Sequence, residues 1–176
     1  MDTSREIAAG HTAARHGLWG GWQNGMARLW QTMFGSPDLG AVDFATLERR
    51  RTPNDSLACP ADFCPRAKPD LEPPVYSVSA ERLRSIAAEA LAREPDTALL
   101  HSDPNQDRYL VRTRLLRFPD TVNLSVIDLG EGRSTLALYS RSQIGRSDLG
   151  ANQRRLRRWV DRISRSVAAE PRGSGS

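Results

Sequence analysis

Arginine is the residue with which this sequence could do most chemistry. Lys68 is the single lysine, so arginine supplies 24 of the 25 basic side chains, against 21 acids in 176 residues. Its planar fork of donors suits carboxylate, phosphate and aromatic partners better than an ammonium does. Three groupings put it to use. Arg141, Arg146, Asp148 and Asn152 lie just before an apolar helical repeat. The unpaired N–H groups of a helix start attract anions, so these four could grip one there. The same residue types serve equally as a tight turn through Gly145 and Gly150, with Asp148 capping the helix. In the second grouping, Arg112, Arg114, Tyr139 and Arg141 share one strand alternation with Asn123, Ser125 and Thr135. That face would suit an acidic protein patch, a lipid headgroup or nucleic acid, or would simply be the solvated side of an antiparallel sheet. The third is a C-terminal helix bearing Arg154, Arg155, Arg157, Arg158, Arg162 and Arg165 around an apolar stripe. Such a stripe can neutralise phosphates, though no zinc finger, RNA-recognition signature or helix-turn-helix accompanies it.

Two smaller features add to the inventory. Trp19, Trp22, Met26, Leu29, Trp30 and Met33 recur at three- and four-residue steps, one face of a helix. Three of the four tryptophans crowd this arm. The ring suits a half-wet position, so the arm is expected to dock on a membrane surface or in a partner's groove, or to fold back on the core. Cys59 and Cys64 are the only cysteines. They either close a small loop as a disulfide in an oxidising compartment or stay free thiols. Two cysteines cannot supply a four-ligand zinc site, so no metal site is nominated. No phosphate-cradling loop, His-Glu-x-x-His, nucleophile elbow or Cys-His pairing is present, and no cofactor is expected.

The elements that must position these residues follow from periodicity and punctuation. Residues 1–34 read as a loose terminus followed by the amphipathic arm, and 35–74 as a strap rich in proline and glycine. Phe44, Leu47, Leu57 and Phe63 would be the pegs of that strap. A regular domain is expected over 75–167, with a flexible tail at 168–176. Within it, Val75–Val78 reads as a strand, and Ser79 caps a helix reaching to about Arg93. Thr97–His101, Arg108–Arg117, Thr121–Asp128 and Arg133–Ser142 read as strands. Leu156, Trp159, Val160, Ile163 and Val167 mark the core face of the last helix. The order β-α-β-β-β-β-α predicts an α+β fold, a curved antiparallel sheet with both helices on one face, as in TATA-binding-protein-like and helix-grip architectures. Val122, Leu124, Val126, Leu136 and Leu138 should lie beneath the helices, leaving the arginine-bearing face open.

Two stretches carry a likeness. One is Gly-Ser-Pro-Asp-Leu-Gly-Ala-Val-Asp-Phe-Ala-Thr-Leu with Thr-Pro-Asn-Asp-Ser-Leu-Ala-Cys-Pro, at 35–47 and 52–60. The other is Ser-Arg-Ser-Gln-Ile-Gly-Arg-Ser-Asp-Leu-Gly-Ala-Asn-Gln-Arg-Arg-Leu, at 140–156. Together they resemble the Domain of Unknown Function 1499 family of bacteria and plastids. The resemblance implies no chemistry, but many such proteins carry a hydrophobic anchor ahead of the domain, where this chain has its tryptophan arm. No stretch of about 18 apolar residues marks a membrane span, and no secretory signal is recognisable. The expected function is therefore a non-enzymatic accessory or binding domain, peripheral to a membrane or to a membrane protein complex. A lipid carrier of helix-grip type is the alternative, and nucleic-acid binding through the arginines ranks behind both. Oligomeric state is left open.

Overall fold

The computed structural model describes residues 38–112, 118–143 and 148–170. Trp19, Trp22, Met26 and Trp30 of the arm, with Arg114 and Arg146, lie outside the described residues. The order is β1 (Asp55–Ala58), α1 (Ala80–Ala92), β2 (Thr97–Ser102), β3 (Asp107–Arg112), β4 (Pro119–Gly130), β5 (Arg133–Ser142) and α2 (Ala151–Ala168). The strands form one antiparallel sheet in the order β1-β5-β4-β3-β2. This is the expected α+β layout with one difference at its start. Val75–Val78 is not a strand. Only Tyr76 pairs with the sheet, through a single bridge in which it exchanges backbone hydrogen bonds with Ser134 at 2.8 and 3.0 Å. Pro73 and Pro74 just before it have no N–H to donate to a ladder, and Ser79 already begins a helix. The first strand lies instead inside the strap, where Ser56 pairs with Ser140 and Leu57 with Tyr139.

Both helices cover one face. α1 starts at Ser79, whose hydroxyl accepts from the Arg82 N–H at 3.2 Å, and it turns Leu83, Ile86, Ala87 and Leu91 inward. α2 presents Leu156, Trp159, Val160 and Ile163 to the same layer. They meet Val122, Leu124, Leu136 and Leu138, with Val126 and Val167 packed at the margin. Trp159 meets the edge of Tyr109 at 5.7 Å between ring centroids, an arrangement that favours aromatic pairs.

The other face is not open, and this corrects the second grouping. Tyr139 is 1% exposed and Asn123 0%, and Ser125 and Thr135 are buried with them. The strap covers them. Its Phe44, Leu47, Leu57, Cys59, Cys64 and Ala67 form a second apolar cluster over Ala137 and Tyr139, with Phe63 packed at the side. The polar side chains of that face are matched to the strap's backbone rather than to water. Gln106 donates to the Val42 carbonyl at 2.8 Å and accepts from the Val42 N–H at 3.1 Å. Asn123 donates to the Gly40 carbonyl at 3.0 Å, and Thr135 to that of Pro74 at 3.0 Å. The Leu39 N–H donates to Thr121 at 3.2 Å. An irregular segment has backbone groups left over from any ladder, and once buried they must find partners. A hydroxyl- and amide-bearing sheet face provides them.

The strap is thus a second core layer. Phe44→Ala, in the irregular part of the strap, should cost about 3–5 kcal/mol in urea unfolding, as a buried phenylalanine in the sheet would. A loss within about 0.5 kcal/mol, normal for a surface position, would show that the strap is loosely held.

Candidate functional site

The residues nominated by the sequence do not converge on one site. Asp148 caps α2: its carboxylate accepts from the Gly150 N–H at 2.9 Å and the Asn152 N–H at 2.7 Å. The chain therefore supplies its own anion at this helix start. Gly150 takes φ 77° and Leu149 φ 52°, so the turn ahead of the helix is left-handed, a conformation natural only to the glycine. Asn152 is fully buried. Its amide donates to the Asn54 carbonyl at 3.0 Å and to Ser142 at 3.1 Å, and its oxygen accepts from Ser140 at 2.6 Å. It clamps β1, β5 and α2 together and is closed to a ligand.

Arg141 and Tyr139 belong to the strap side. Arg141 donates to the Leu39 and Gly40 carbonyls at 2.6 and 3.0 Å and lies 5.8 Å from the Tyr139 ring centroid. Burial, reinforced by the Arg50 charge, holds its pKa below the ordinary arginine value. Tyr139 donates its hydroxyl proton to Asp55 at 2.6 Å. Burial first, then the Asp55 carboxylate, push that phenol upward. Arg49 closes the cluster, bridging Asp55 at 2.7 Å and Asp70 at 2.8 Å. Asp70 also accepts from the Ser56 hydroxyl at 2.8 Å and the Leu57 N–H at 3.0 Å. These groups tie the strap down.

Arg112 goes elsewhere. It stands at the end of β3, on a cleft of about 210 Å³ that it shares with Arg154, Arg155 and Arg158 of α2, and with Asp96 and Val111. Arg155 is sealed against Asp120 at 2.5 Å, both side chains nearly solvent-free. Arg158 reaches Glu94 at 3.3 Å, and the same buried carboxylate accepts from the Trp159 indole at 3.2 Å. Arg162 comes within 2.7 Å of its other oxygen, an ion pair without hydrogen-bond alignment. Arg154 donates to the Leu149 carbonyl at 2.8 Å. The Arg112 backbone N–H donates to the Asp96 carbonyl at 2.9 Å, and the half-buried guanidinium has no partner among the described residues. This cleft is where excess positive charge collects. The helical spacing of Arg154, Arg155 and Arg158 is visible in the sequence. Their meeting with Arg112, about forty residues away, is set by tertiary packing alone. Asp120 and Glu94, which anchor two of the guanidiniums, had only the local meaning of residues beside a turn.

Cys59 and Cys64 are joined as a disulfide, with Cα atoms 6.3 Å apart, which resolves the choice the spacing left open. Both sulfurs are buried in the strap cluster. The family model for a protein of unknown function (DUF1499) matches residues 44–163, so this chain belongs to that family. No curated protein matches the chain.

Two measurements test these contacts. Burial raises the Asp38 and Asp70 carboxyls, but opposing contacts outweigh it: the Gly40 N–H and Arg108 for Asp38, and Arg49, the Leu57 N–H and Ser56 for Asp70. Both therefore sit below the usual carboxylate range. Carboxyls lowered in the fold stabilise it above their unfolded pKa of about 3.9 and lose that contribution as pH falls through the folded value. Asp70→Asn should be less stable than the parent at pH 7, with the gap closing below about pH 4; a gap constant with pH would refute the charge contribution. Thiol titration of the unreduced protein in denaturant should find no free thiols. Reducing a loop this short should cost about 2 kcal/mol by chain entropy.

Proposed function

We propose that this domain is a non-catalytic binding module that works at a membrane surface and docks through the outward side of α2. The observation that carries this reading is the division of that helix. Leu156, Trp159, Val160 and Ile163 are locked into the core, so Arg154, Arg157, Arg158 and Arg165 are held outward on a rigid element, with Asp161 the one acid among them. A basic residue near an anionic leaflet contributes about 1 kcal/mol. The tryptophan arm would add the apolar anchor that charge alone lacks. Among the described residues no helix is long and apolar enough to cross a membrane, so in this reading attachment is peripheral. The disulfide favours a membrane side facing an oxidising compartment.

The finer likeness to TATA-binding-protein-like and helix-grip architectures, including a curved sheet, is part of this proposal. Two helices on one face of an antiparallel sheet support it. A helix-grip lipid carrier would need room between sheet and last helix. Trp159, 0% exposed and packed with Leu156 and Ile163 against Leu136 and Leu138, favours a filled interior and hence the docking reading.

Cosedimentation with phosphatidylglycerol and phosphatidylcholine vesicles tests it. Binding should require the anionic lipid and weaken with salt. Arg157→Gln with Arg165→Gln should reduce it about thirtyfold, the equivalent of two lost charges at about 1 kcal/mol each. Trp19, Trp22 and Trp30 changed together to serine should release the protein further. Equal retention on both lipids, or indifference to the arginine changes, sinks the docking role.

A further inference from the structure

We infer that the cleft between the end of β3 and the first turns of α2 is a dedicated site for a single phosphate group. The inference sharpens the proposed binding role by naming a ligand class. It rests on a separate observation, the guanidinium of Arg112, which has no partner among the described residues.

The guanidiniums at this cleft differ in what holds them. Arg155 is fixed from behind by Asp120, and Arg158 by Glu94, two carboxylates with 1% side-chain exposure. These acids offset the charge of the two arginines they hold, and Arg155 also donates to Ser140 and Asn152. The pair forms a fixed wall, and the positive excess at the cleft comes from Arg112 and Arg154. Arg154 commits one nitrogen to the Leu149 carbonyl, an interaction that leaves its charge uncompensated. Among the described residues the Arg112 side chain has no partner. A cation at the mouth of a cleft with no internal counterion keeps its donors open to an anion that enters. Asp96 stands on the same wall and already has a partner, so it lowers the positive excess without removing it.

Shape narrows the ligand. At about 210 Å³ the cleft is smaller than the roughly 300–1,000 Å³ of sites for drug-sized molecules. It has room for one compact anion and little else. Forked donors lining one cleft from β3 and from α2 suit the oxygens of a phosphate, which accepts bidentate pairs from several directions. The helix start itself adds little, because Asp148 already takes the Gly150 and Asn152 N–H groups. The site is therefore built by arginine side chains.

The test is calorimetric titration of the full chain with inorganic phosphate in a low-chloride buffer. The expected result is saturable binding of one phosphate per chain, weakened at least tenfold in Arg112→Gln. The thermal midpoint without phosphate should be unchanged in that variant, because Arg112 gives up no internal partner. Arg133→Gln, at the exposed β4–β5 turn, should bind phosphate as the parent does. Heats that never saturate, or equal affinity in Arg112→Gln, overturn the site. So does an equal loss in Arg133→Gln, which would mean diffuse attraction to net charge. A parallel titration with a soluble short-chain phosphatidic acid separates the sources: tighter binding than inorganic phosphate assigns a lipid headgroup, equal binding a free phosphate. No vesicle enters these titrations, so failure of membrane docking through Arg157 and Arg165 leaves them readable.

Discussion

An irregular segment that is buried must find outside partners for the backbone groups that its own turns leave over. That constraint organises this molecule. About thirty residues of the strap lie on the sheet, and only four of them, β1, enter its ladder. The rest would leave unpaired N–H and C=O groups against a dry surface. The sheet answers with Gln106, Thr121, Asn123, Thr135 and Arg141, side chains that carry donors and acceptors out to the strap. Phe44, Leu47 and Leu57 add apolar contact between those bonds, and the disulfide shortens the chain that must be ordered. One face of the sheet is therefore apolar because helices satisfy themselves. The other is polar because the strap's own turns satisfy it only in part.

The same constraint explains what could be read in the sequence and what could not. Helices and hairpins declare themselves locally: the stripe from Leu156 to Ile163, the cap at Ser79 and the turn at Gly130-Glu131-Gly132 each rest on neighbouring residues. Asp55–Ala58 does not, because four residues between Pro53 and Pro60 carry no period long enough to distinguish a strand from a loop. The polar alternation of β4 and β5 was legible, but its meaning was not. Asn123 and Tyr139 look identical whether they face water or a backbone that must be satisfied. Arg141 went the same way, assigned to an open surface and found holding Leu39 and Gly40.

Buried charge does the complementary work on the helix side. Asp120 with Arg155, and Glu94 with Trp159 and Arg158, lie beneath or beside α2. Such pairs are weak sources of net stability, since desolvation offsets most of their attraction. Their value is directional. An apolar stripe alone lets a helix rotate or slide by a residue, whereas a carboxylate facing Arg158, Arg162 and the Trp159 indole meets all three in a single setting. The outward arginines inherit that setting, which is why an arginine-rich composition becomes a defined surface and a defined cleft rather than a diffuse charge.

The extent of the family match bears on which of these parts the family shares. It opens at Phe44, the first peg of the strap cluster, and closes at Ile163, the last fully buried residue of α2. A unit made only of sheet and helices would have opened at β1, near Asp55. The covering strap is therefore part of the domain on the same footing as the helices, and the disulfide, the Asn152 clamp and the Arg112 cleft all lie inside it. The tryptophan arm lies outside.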